Sequence, residues 1–136
     1  MKKFRAIVLE ADKPNKNNRI YPKELLERVI TENQETVKGR AMMGQIGFPG
    51  DSIIRIANVS HVVTDLAFTD GAMVAEIEVL NTPAGLSLQA MMDSGVEIAL
   101  RPQGIGGGDV DDNGNFVLDD SYKLISICVV KKEEAA

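Results

Sequence analysis

Three places in this 136-residue chain combine side chains that could do chemistry. His61 is the only histidine, and imidazole is the side chain whose ordinary pKa lies near neutrality, so it is the first candidate for a base. Its place among Val59, Val62 and Val63 reads instead as a packed, hydrogen-bonded strand residue. Cys128, the only cysteine, could pair with His61 as a thiol nucleophile, but between Ile127 and Val129 it reads as a small buried hydrophobe whose pKa burial raises. The third place is acidic. Asp109, Asp111 and Asn113 put oxygens at the first, third and fifth positions of a calcium-type loop, with Gly114 sixth, Phe116 eighth and Asp120 twelfth. Against a metal, Asp120 is shorter than the bidentate Glu of such loops, and glycines precede the segment where a helix is needed. A hairpin turn at Asn113-Gly114 explains the same residues. The run from Gly104 to Gly108 lacks the Gly-Lys-Ser/Thr ending of a phosphate loop. The expectation is no cofactor and no metal.

The elements that position these residues centre on Asn58 to Leu80. Met73, Ala75, Ile77 and Val79 alternate with Glu76 and Glu78, the period of a half-buried strand, and Thr69-Asp70-Gly71 turns the chain into it. The preceding run is apolar on both faces. Upstream lie a strand from Phe4 to Glu10, a polar loop to Tyr21 and, after Pro22, an amphipathic helix to about Val37 carrying Leu25, Leu26, Val29 and Ile30. Gly39 to Ala57 reads as an irregular connection with a short strand at Ile53-Ile54. Downstream, Thr82 caps a helix that opens with Pro83, faces Leu88, Met91 and Met92 inward and ends at Gly95. Val96 to Leu100 is a strand, Gly104 to Gly114 is flexible, and strand returns from Phe116 to end in Tyr122–Val130. The order indicates an α+β fold with a mostly antiparallel sheet or barrel core and two or three flanking helices. Residues 1–130 read as one domain and 131–136 as a charged, solvated tail.

Fifteen Lys and Arg against 20 Asp and Glu leave a net charge of −5, without the basic surface that non-specific nucleic-acid binding requires. No apolar run has signal-peptide or membrane-spanning length, and a lone cysteine allows no internal disulfide. A soluble protein of a reducing cytoplasm is expected, with no nucleic-acid or membrane partner.

The segments NNRIYPKELLERVI, GQIGFP, VSHVVTDL, EIEVLNTPAG, MMDSGVEIAL and LISICVV, in that order over nearly the whole chain, resemble the prohead core proteases of T4-type tailed phages. That family is similar in fold to the herpesvirus capsid-assembly serine proteases. The resemblance implies a barrel-like core flanked by helices, work in the host cytoplasm within the prohead or virion, and partners among capsid, scaffold or active prohead protease subunits. It also implies a homo-oligomer.

Residue by residue, the resemblance fails where the chemistry should be. Phe48 stands where the family has the histidine of a His-Pro pair, Arg101 and Pro102 replace two serines of the nucleophile run, and Gln103 replaces the arginine after them. In the last strand Cys128 stands where the family usually has Asp. His61, which the family also has, is a possible remnant with no serine left to serve at the family position. The expectation is a catalytically degenerate member acting by binding in head assembly. The alternatives are a peptidase with displaced or substituted catalytic residues, or a fold reused against a host target.

Overall fold

The stretch from Asn58 to Leu80 folds into the hairpin that its alternation predicts. In the computed structural model, which describes residues 2–136, β4 (Val59–Thr69) runs antiparallel to β5 (Ala72–Val79), with His61 opposite Val79 and Thr69 opposite Ala72. Asp70 and Gly71 both take positive φ, 50° and 77°, the turn geometry whose twist matches that of paired strands. The inward face of β5, Met73, Ala75, Ile77 and Val79, is buried, and so is every residue from Val59 to Val63. β4 is therefore covered on both faces.

On either side of the hairpin lie β1 (Lys3–Glu10) and β3 (Met43–Gln45), giving the order β1-β5-β4-β3. A second sheet pairs β6 (Ile98–Ile105) with β9 (Lys123–Lys131), and a third joins β2 (Arg19–Ile20), β8 (Phe116–Leu118) and β7 (Gly108–Val110). The first two meet at one parallel bridge, Ile46 with Val129, beside which the Gly47 N–H donates to the Val129 carbonyl at 2.6 Å. Among the described residues the ladders do not close, so the core is a set of mostly antiparallel sheets and not a barrel.

Helix α1 (Lys23–Glu32) buries Leu25, Leu26, Val29 and Ile30, as its spacing requires. The expected continuation to Val37 is broken at Asn33. There the Asn33 side chain donates to the Val29 carbonyl at 2.8 Å, competing with the backbone for the helix's last acceptors, and α2 (Gln34–Lys38) restarts behind it. Helix α3 (Pro83–Asp93) begins as predicted: the Thr82 hydroxyl accepts from the Gly85 N–H at 3.0 Å and donates to the Val59 carbonyl at 2.6 Å. Leu88 is fully buried, whereas Met91 and Met92 are only half-buried. Because one hydroxyl both caps α3 and ties it to β4, Thr82→Ala should lower the unfolding free energy by about 1–2 kcal/mol in urea titration.

Other expectations shift. β6 starts two residues after Val96 and continues to Ile105, so part of the glycine-rich stretch is strand: Gly104 and Ile105 pair with Leu124 and Lys123. Ile53-Ile54 forms no strand. The carbonyls of that loop are taken by two buried glutamine amides instead, Gln103 donating to Asp51 at 2.9 Å and Gln45 to Ile53 at 3.2 Å. At the other end Lys132–Glu134 make a single 3-10 turn with exposed side chains, while Ala136 packs partly against the core.

Candidate functional site

Three separate stretches deliver Phe48, Arg101 and Cys128 to one place. β6 and β9 pair Arg101 directly with Cys128, whose thiol donates to the Arg101 carbonyl at 3.3 Å. The Ile46–Val129 bridge carries the chain past β9 so that Phe48 lies under Arg101, with the guanidinium 3.9 Å from the ring centroid. That is stacking distance for a cation on an aromatic face. Pro102 follows on β6, opposite Ile127, and has no N–H to offer a ligand.

A cleft of about 290 Å³ opens over this contact, walled by Arg19, Tyr21, Phe48, Arg101 and Pro102, with Ala136 at its edge. Arg19 stacks on Phe116 at 5.8 Å. Among the described residues neither Arg19 nor Arg101 forms an ion pair with a carboxylate. The cleft thus offers two guanidinium groups and aromatic faces. Among Phe48, Arg101, Pro102 and Cys128 it offers no accessible nucleophile: Cys128 is fully buried, and burial pushes its thiol up to about 11.

His61 lies elsewhere, sealed in the core. Its Nε2 is 2.7 Å from the Ile127 carbonyl and its Nδ1 is 2.7 Å from the Ser60 hydroxyl. A carbonyl can only accept, so Nε2 carries the proton and Ser60 donates to Nδ1. Burial lowers the imidazole to about 4, against the smaller opposing effect of the Ile127 carbonyl. β3 crosses this pair at Gly44, where a Cβ would stand 2.2 Å from His61 Nε2 and 2.4 Å from the Ile127 oxygen. Only glycine fits there. Ser60–His61 has the contact of a nucleophile and its base, but both residues are 0% exposed. Sequence reading passed over Ser60, because neighbours along a strand normally point to opposite faces.

The acidic segment is a turn. Asp111 Oδ1 accepts from the backbone of Asn113 and Asn115, each at 2.9 Å, and the Gly114 N–H reaches the Asp111 carbonyl at 3.1 Å. Asp109 lies on β7 opposite Val117, and the Asp120 carbonyl accepts from Arg28 at 3.1 Å. Among the described residues no group of three or more His, Cys, Asp or Glu side chains is placed to hold a metal. With no such group among the described residues, calcium titrated by calorimetry should give no saturable heat. A micromolar site lost in Asp109→Ala would contradict this.

A model of the prohead core protein serine protease family matches residues 3–132. The chain belongs to that family. Among solved structures, the bacteriophage T4 capsid assembly protease superposes with a TM-score of 0.87 at 20% identity, over 94% of this chain and 80% of that one. The shared fold extends over almost every element described above. A search of curated protein sequences returned no match.

Proposed function

We propose that this chain is a catalytically silent member of its family that acts by binding during phage head assembly, within the prohead, as a homo-oligomer or beside capsid, scaffold or active protease subunits. The observation that carries this is the meeting of Phe48, Arg101 and Cys128, residues that the resemblance assigns to motif positions, as a ring, a stacked cation and a buried thiol. None of these groups, as placed, supplies an activated nucleophile with a base and donors for a developing oxyanion. Half-buried Met91 and Met92 leave apolar surface on α3 for self-association.

A second reading, a peptidase with displaced groups, draws on the 2.7 Å Ser60–His61 contact. Complete burial of both argues against it, since a hydroxyl without access to the cleft cannot meet a peptide carbonyl. Mixing the purified chain with purified scaffold, capsid or active protease subunits in sedimentation experiments should show a saturable complex with at least one and no proteolysis. A chain that stays a strict monomer and binds none of them would refute the binding role.

A further inference from the structure

We propose that Asn113 is a site of covalent modification, an asparagine that converts to aspartate and isoaspartate by attack of the Gly114 backbone nitrogen on its side chain. Asn113-Gly114 is the only Asn-Gly pair in the chain. After every other asparagine the next residue carries a side chain that crowds the approach of its nitrogen, and Gly114 carries none. Both residues are exposed at the tip of the β7–β8 hairpin, and a Cβ on Gly114 would meet nothing within 4 Å. Asn113 is tied through its backbone N–H, to Asp111 Oδ1 at 2.9 Å. Among the described residues its side-chain amide has no partner.

The reaction needs no reagent but water. The Gly114 nitrogen gives up its proton and bonds to Asn113 Cγ, the Cγ–Nδ2 bond breaks, ammonia leaves and a cyclic imide closes. Water then opens the ring. Addition at Cγ leaves aspartate on an unchanged backbone, whereas addition at the Asn113 backbone carbonyl leaves isoaspartate, with the chain running through the side chain and one CH₂ longer. Either product adds a carboxylate, ionised at neutral pH, beside Asp109, Asp111 and Asp112.

The fold sets the pace and the consequence. In the closed turn the Gly114 N–H rests on the Asp111 carbonyl at 3.1 Å, and Asp111 Oδ1 also takes the Asn115 N–H at 2.9 Å, so the nitrogen attacks when the tip opens. Exposed tips open locally without unfolding the rest. The isoaspartate form lengthens a turn closed by the Asp111 N–H on the Asn115 carbonyl at 2.8 Å. The next residue, Phe116, donates to the Asn18 carbonyl at 2.8 Å and pairs with Arg19, so that form loosens β8 from β2.

Purified protein aged at mildly alkaline pH should accumulate an acidic species in isoelectric focusing. Peptide mapping should place the amide loss at Asn113 at least about tenfold ahead of any other asparagine. Asn113→Gln, whose longer side chain closes the ring poorly, should not accumulate it. Asp111→Ala, which removes two of the turn's hydrogen bonds, should speed the loss about fivefold. The separated isoaspartate form should exchange its Phe116 amide hydrogen about tenfold faster than fresh protein. No acidic species, amide loss spread evenly over the asparagines, or a species undiminished in Asn113→Gln would overturn the site. An unaltered rate in Asp111→Ala would overturn control by the turn, and unaltered exchange at Phe116 would overturn the coupling to β8. No head protein enters these measurements, so their failure is distinct from failure of the assembly role.

Discussion

Purified protein is expected to leave scaffold and capsid subunits intact and to remain unlabelled by serine-directed phosphonates, and Phe48→His alone should change neither result. Serine acyl transfer needs a nucleophile, a base within hydrogen-bond reach of it, and donors aimed at the developing oxyanion. Removing one such group can leave residual catalysis, but the resemblance puts changes at the positions of several together. A histidine introduced at Phe48 would face the Arg101 guanidinium, now 3.9 Å from the ring, which would disfavour its protonation and leave it no hydroxyl to serve. Pro102 adds a missing backbone donor at the same place. The effect on rate is therefore all or nothing. Specific cleavage by the purified chain, abolished by Ser60→Ala, by a change at His61 or by a change at Cys128, would instead establish an unconventional hydrolase.

Where neighbouring residues decide the outcome, the sequence was legible. The β4–β5 hairpin, its Asp70-Gly71 turn, the Thr82 cap and the α1 stripe all follow from period and local hydrogen-bonding chemistry, and the structure has them. Where distant chain supplies the partner, it was not. Glycines from 104 to 108 suggest flexibility until β9 and β8 are present to pair with them. The Ile53-Ile54 carbonyls look strand-like until Gln45 and Gln103 arrive from β3 and β6. For the site, Phe48, Arg101 and Cys128 were singled out together by the resemblance alone. Their contact and the cleft, with Ala136 at its edge, depend on strand register and on the Ile46–Val129 bridge. Arg19 lies in the NNRIYP segment that carries the resemblance, but nothing in that segment marks it as a cleft residue.

The last expected result concerns acid sensitivity and rests on the one histidine. His61 titrates at 6.5 when unfolded and at about 4 in the fold, because burial disfavours its charged form. The sign follows directly: between these values the unfolded chain binds a proton that the folded chain refuses, so stability is full above 6.5 and falls as the pH drops. At ~1.4 kcal/mol per pH unit, the loss should reach roughly 3 kcal/mol by pH 4. Asp51, Glu78 and Asp119 behave differently. Hydrogen bonds from Arg55, Arg40 and Ser121, respectively, lower their pKa values from 3.8, 4.5 and 3.8, so the stability they contribute is lost as the pH falls below those values, beneath the window from 6.5 to 5. A slope between pH 6.5 and 5 is therefore assignable to His61. Urea unfolding at pH 7, 6 and 5 should show it, and His61→Gln, a neutral side chain able to donate toward the Ile127 carbonyl and accept from Ser60, should flatten it whatever its absolute stability. An identical slope in both proteins would mean that His61 is charged within the fold, and the sealed Ser60–His61–Ile127 arrangement would have to be abandoned.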